Sequence, residues 1–156
     1  IAIRPGDYFY TRYRFRYASD PSAKAALALF YETGRYYDGR LNTFTATLRY
    51  SPLPQASLAL DYTRNEALGL GAERQHRTAH LLTPQARLAL NPRLQLIGFY
   101  QKNTAAERDV YNLRLAWEFQ PLSFVYLVYN SSVQQVGTDR LRAEQAIGKL
   151  TYLKQF

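Results

Sequence analysis

Two histidines, His76 and His80, stand four residues apart, and two serines, Ser131 and Ser132, are adjacent in a polar stretch. In a strand the two histidines share a face. That is the spacing of a metal pair, or of a general base beside a serine nucleophile. Nothing else in the pattern lifts this chemistry above that of polar residues at an interface. Glu32, Asp61 and Glu118 are candidates for acid–base work. Each stands among arginines, so they read instead as acidic partners on a polar surface. There is no cluster with metal-ligand spacing, no glycine-rich phosphate loop and no nucleic-acid motif. We therefore assign no catalytic residue, metal, cofactor or nucleic-acid partner, and the chain reads as a non-enzyme. Aromatics alternate with arginines, but the two types fall on opposite faces of a strand and cannot sandwich one base.

The arginines are the more informative set. Arg12, Arg14, Arg16, Arg49, Arg87 and Arg114 each alternate with apolar residues inside a strand-like segment. They form a face and not a loop cluster. Of the 20 basic residues 16 are Arg, and the net charge is +8. Such a balance suits acidic lipid, nucleic acid or an anion path. The chain has 156 residues, the length of one domain, and no cysteine, so disulfides and thiolate metal sites are excluded. It also lacks a run of about 18 apolar residues, so no helix crosses a membrane. A barrel strand shows lipid only every second residue and escapes that test.

The elements that carry these residues alternate with period two. Tyr111, Leu113, Leu115, Trp117 and Phe119 oppose Asn112, Arg114, Ala116 and Glu118. A helix would mix the two sets. The same pattern runs over 43–50 (Phe44, Ala46, Leu48 and Tyr50 against three threonines and Arg49), 24–33, 57–63 and 8–17. Segments 81–90, 94–102, 124–130 and 145–156 complete nine predicted strands, without a helix. Of these, 94–102 and 124–130 are apolar on both faces. Pro84 cannot donate to a ladder and predicts a bulge or an edge.

Four proline turns punctuate the chain, at Pro21, Pro52 and Pro54, Pro92, and Pro121. Longer polar connections are expected over 34–40, 64–77, 103–109 and 131–142. Aromatics precede three of the turns, at Tyr17, Tyr50 and Phe119, and the chain ends on Phe156. Tyr31, Tyr62, Tyr100 and Tyr111 mark the opposite ends of the apolar segments. Aromatic rings settle at membrane–water interfaces. The fold class expected is therefore all-β, an antiparallel transmembrane β-barrel of nine to ten strands. Tyr17, Tyr50, Tyr62, Tyr111, Trp117, Phe119 and Phe156 form its interface girdles. The six arginines, with Glu32, Asp61 and Glu118, line its lumen. Its partners are then outer-membrane lipid, lipopolysaccharide and, through the C-terminal strand, the barrel-assembly machinery. The alternative is a soluble up-and-down barrel with its apolar face turned inward around an apolar ligand.

Strand 8–17 and the last strand both run toward the proline-turn side. Antiparallel closure then needs a strand beyond the clear nine: the stretch around Ile1 to Ile3, upstream sequence, or another chain. The chain is accordingly expected to be one barrel segment, the C-terminal part of a longer protein.

Several segments resemble a known family. They are Gly34-Arg35-Tyr36-Tyr37-Asp38-Gly39, Gly98-Phe99-Tyr100-Gln101-Lys102-Asn103, Tyr111-Asn112-Leu113-Arg114-Leu115-Ala116-Trp117-Glu118-Phe119 with Pro121, and Val125-Tyr126-Leu127-Val128-Tyr129-Asn130. Over about residues 30–156 the chain is similar to the C-terminal barrel region of large bacterial outer-membrane proteins. The N-terminal part of those proteins resembles a family-nine carbohydrate-binding domain. The resemblance implies a Gram-negative outer-membrane location, barrel architecture and an N-terminal region. It implies no particular activity. Lys154 departs from the apolar residue usual there. The expected function is a porin-like transport barrel, or the membrane anchor of a larger protein.

Leu48, Leu60, Leu88, Leu113 and Leu115 should face lipid. An arginine at a barrel's bilayer midplane costs about 2–4 kcal/mol. Leu115→Arg should therefore block refolding into lipid vesicles, followed by gel mobility with and without heating. Arg114→Leu should refold nearly as the parent does.

Overall fold

The computed structural model describes residues 5–154. Its nine strands follow chain order in a single sheet: β1 (Arg12–Ala18), β2 (Ala25–Tyr36), β3 (Gly39–Leu53), β4 (Ala56–Leu70), β5 (Gln75–Asn91), β6 (Leu94–Asn103), β7 (Arg108–Gln120), β8 (Ser123–Val136) and β9 (Asp139–Thr151). Every adjacent pair is antiparallel. No described residue is helical.

Register follows from the pleat, because a slip of one residue would turn a whole strand over. Across the strands Leu58 pairs with Ala86, Ala86 with Gly98, Gly98 with Leu113 and Leu113 with Tyr129. One face is thus apolar along this row from β4 to β8. On the other, Ala28 pairs with Thr47, Thr47 with Asp61 and Asp61 with Thr83.

The four connections expected to be long are short. They are 37–38, 71–74, 104–107 and 137–138, and the strands run on into the sequence assigned to loops. Polar residues there pair across strands and have no need of water. Thr43 Oγ1 donates to Asn65 Oδ1 at 2.8 Å, and Asn42 Nδ2 to Glu66 Oε2 at 3.3 Å. The asymmetry between the ends of the sheet survives in another form. At the proline end the apolar face reaches the turns. At the distal end, β3 to β5 carry polar residues well past the last aromatics.

Three further expectations need correction. Strand 8–17 begins only at Arg12, because Tyr8 and Tyr10 turn aside to pack edge-on against Tyr37. The last strand begins earlier than expected, at Asp139, and ends at Thr151. Pro84 makes neither a bulge nor an edge. It pairs with Leu60 inside the sheet, while toward β6 the ladder passes from Leu82–Lys102 to Gln85–Phe99 without a change of register. Proline brings no N–H, so the rungs beside it are absent.

The sheet is open. β1 and β9 are its two edges, and no ladder joins them among the described residues. Nor does it build a conventional core: Leu70, at 4 % exposed, is the one buried hydrophobic residue described. Ile1 to Ile3 and Phe156 lie outside the described residues.

β1 docks on β2 beside Gly34, where a Cβ would overlap the Thr11 carbonyl oxygen. Gly34→Ala should loosen this edge. Limited trypsin digestion should then cut after Arg12, Arg14 and Arg16 several-fold faster than in the parent chain.

Candidate functional face and aromatic collar

All six arginines expected on one face are there, together with Glu32, Asp61 and Glu118. Direct pairing carries the face from strand to strand: Arg14 opposes Glu32, Arg49 opposes Ala59, and Arg87 and Arg114 both oppose Ile97. The acidic residues have separate roles. Glu32 is only 8 % exposed. Its Oε1 lies 3.0 Å from Arg12 Nε and accepts a hydrogen bond from Arg14 Nε at 3.1 Å. Arg12 Nε is buried and not aimed closely enough to bond. Asp61 and Glu118 form none of the observed ion pairs. Asp61 Oδ1 accepts from Thr47 Oγ1 at 2.7 Å, and Glu118 Oε1 accepts from the Leu122 amide at 3.0 Å.

Two of the six arginines rest on aromatic rings, contacts that the sequence pattern did not bring out. The Arg16 guanidinium lies 5.7 Å from the Phe30 ring centre, and that of Arg114 lies 5.4 Å from Tyr126. An aromatic face attracts a cation and holds it without neutralising it. The signal for both was register: Arg16 is directly opposite Phe30, and Tyr126 lies one outward step along β8 from the residue opposite Arg114. Arg87 Nη2 donates to Gln95 Oε1 at 3.2 Å. Asn112 and Asn130 bond side chain to side chain across β7 and β8.

The other face carries Tyr17, Tyr50, Tyr62, Tyr111, Trp117 and Phe119. Trp117 and Phe119 pack with ring centres 6.0 Å apart beside the turn at Pro121. At the distal end, tyrosine hydroxyls reach past the apolar band to polar partners. Tyr100 donates to Asp109 at 3.1 Å and Tyr129 to Glu144 at 2.5 Å, and the Tyr62 hydroxyl lies 2.9 Å from His80 Nδ1. Arg142 in turn bonds Glu144 at 2.6 Å. Tyr100 stacks on Tyr111 with centres 4.7 Å apart. The ring is thus apolar-side and the hydroxyl polar-side at each of these positions, the arrangement an interface selects.

This collar crosses the hydrogen-bonded rows obliquely. Tyr31 faces Phe44, but Phe44 faces Arg64, so Tyr62 is two residues nearer the proline end. Tyr62 faces Leu82, which faces Lys102, so Tyr100 is again two residues lower. Tyr100 faces Tyr111, which faces Ser131, and Tyr129 is two lower once more. The collar therefore descends three times by two residues between β2 and β8. At about 3.4 Å per residue and about 4.8 Å between strands, a level collar requires strands tilted by about 35°. Barrel strands tilt by roughly 35–45°.

The histidines and serines do not assemble a site. His80 belongs to the collar, and Ser131 is on β8, three strands away, or roughly 14 Å at the usual strand spacing. His76 lies at the distal end of β5. Among the described residues no group of three or more His, Asp or Glu is placed to hold a metal ion. No family model, curated protein or solved structure matches the chain.

Glu32 is the hub of the β1–β2 charge cluster. Glu32→Ala leaves Arg12 and Arg14 without their shared carboxylate. It should lower unfolding stability in detergent micelles by about 1–3 kcal/mol, read from urea titration of circular dichroism. Asp61→Ala, which removes a single hydroxyl partner, should cost less.

Proposed function

We propose that this sheet is a stretch of wall from a transmembrane β-barrel in a Gram-negative outer membrane. Its leucine face meets lipid, and its arginine face lines an aqueous interior that favours anionic solutes. One observation carries the reading. Mid-strand leucines across the sheet are open: Leu48 is 46 % exposed, Leu88 47 %, Leu113 48 % and Leu127 50 %. The chain exposes 11587 Å² in all. A compact soluble protein of its 18.0 kDa would expose about 8000 Å². Full burial of a leucine is worth about 1.5–3 kcal/mol, and each of these, half exposed in water, forgoes roughly half of it. Lipid removes that cost.

The oblique collar supports the same reading, since a slab of fixed thickness demands a level belt on tilted strands. So does the crowding of the two faces. Mid-strand Thr47, Asn112 and Val128 are half-buried, while Leu48, Leu113 and Leu127 beside them on the other face are exposed. At these positions the polar face is the tighter one, as the inside of a curved wall is. A soluble barrel around an apolar ligand would need the reverse. The resemblance of residues 30–156 to outer-membrane barrel regions points to the same compartment. Lipopolysaccharide would then meet the collar of Arg64, His80 and Glu144, and the assembly machinery the C-terminal strand.

Planar-bilayer recording tests the proposal. The protein should give conductance steps with anions preferred over cations. Arg87→Glu combined with Arg114→Glu should lower the anion-to-cation permeability ratio several-fold. A protein that inserts but gives no steps is instead a sealed barrel that anchors a partner domain.

A further inference from the structure

The two sheet edges dictate what can complete the wall. Consecutive strands are antiparallel throughout, so β1 and β9, the first and ninth, point the same way. Placing β1 against β9 would make a parallel pair. A second copy does not help. Copies in one membrane orientation all present edges of the same direction, so every edge-to-edge junction between them is parallel as well. Closure by antiparallel ladders, the arrangement of bacterial outer-membrane barrels, therefore needs an odd number of additional strands. Both outer strands of that segment must run opposite to β1.

The chemistry of the β1 edge says more. Its apolar face is aromatic, with Tyr13, Phe15 and Tyr17 exposed. Its polar face consists of Arg12, Arg14 and Arg16. The carboxylate in contact with them, Glu32, is shared by Arg12 and Arg14, while Arg16 has a ring for a neighbour. Three cations on alternate positions at the rim of a low-dielectric wall call for anions on the strand that joins them.

We infer that the wall is completed by an odd-stranded segment distinct from these nine strands. The strand that pairs with β1 runs antiparallel to it and sets carboxylates opposite the Arg12–Arg14–Arg16 ladder, with apolar residues between them facing lipid. This rests on the membrane-barrel reading.

Amide hydrogen exchange on the refolded chain in detergent micelles tests it. Two synthetic ten-residue strands serve as probes, one with Glu and one with Lys at alternate positions between valines. In the chain alone, β1 and β9 amides should exchange at least tenfold faster than those of β4 to β6. The Glu strand should slow β1 exchange tenfold and saturably, and the Lys strand should not. Edges protected in the chain alone at every concentration would mean direct closure, and protection that grows with chain concentration would mean a second copy. Either result overturns the inference, as does equal action of the two probes or protection of β9 alone by the Glu strand. A disulfide check needs no probe, because the chain has no cysteine of its own. Tyr13→Cys combined with Gly148→Cys should form no cross-link between β1 and β9, within or between chains, and a cross-link would refute the inference. The membrane-barrel reading fails separately, if the full sheet is protected in buffer without detergent.

Discussion

Everything in this sheet depends on the backbone ladder. With almost no buried hydrophobic side chains, the cross-strand N–H···O=C bonds are what hold nine strands in order, and the side chains decide only which way each face looks. In water such a sheet would be a poor bargain, with a broad leucine surface uncovered. In lipid the balance reverses. The apolar face is solvated by chains as apolar as itself, and each unmade backbone bond becomes expensive. The ladder is then both the stabilising element and the constraint that forbids a free edge.

Within that frame the polar face is a set of local solutions to one problem, how to hold many guanidinium groups on one surface. Glu32 takes two of them, Phe30 and Tyr126 take one each, and Gln95 takes another. Most of these partners hydrogen-bond or stack without carrying charge. Apart from the two held by Glu32, these arginines are therefore oriented but not neutralised.

Face assignment was legible in the sequence because the pleat has an integer period. Arg114 and Leu115 had to point opposite ways once the strand was recognised. Strand length was not legible. Asn65 and Glu66 look like loop residues, and only the register shows that they find Thr43 and Asn42 across β3 and β4. Pro84 misled for a related reason. Proline is unwelcome in a ladder, yet one missing donor does not displace a strand held by β4 on its other side. The collar was half legible. Tyr62 and Tyr100 stood out as belt residues, but their partners His80 and Asp109 required the pairing, as did the bond from Tyr129 to Glu144. The contact of Arg114 with Tyr126 was hidden because Tyr126 occurs in a segment apolar on both faces, and that of Arg16 with Phe30 because only the register sets the two opposite each other.

The gap in the ladder beside Pro84 also divides the molecule. On the β1–β5 side the polar face is arginine, threonine and aspartate. On the β6–β9 side Ile97, Phe99, Val128 and Ile147 share it with Asn112, Arg114 and Asn130. The interruption in the β5–β6 ladder thus adjoins the strand at which this face becomes more apolar. Local opening should start at that gap, which lies between the strands that carry Arg87 and Arg114, so breathing there would change the spacing of these two arginines.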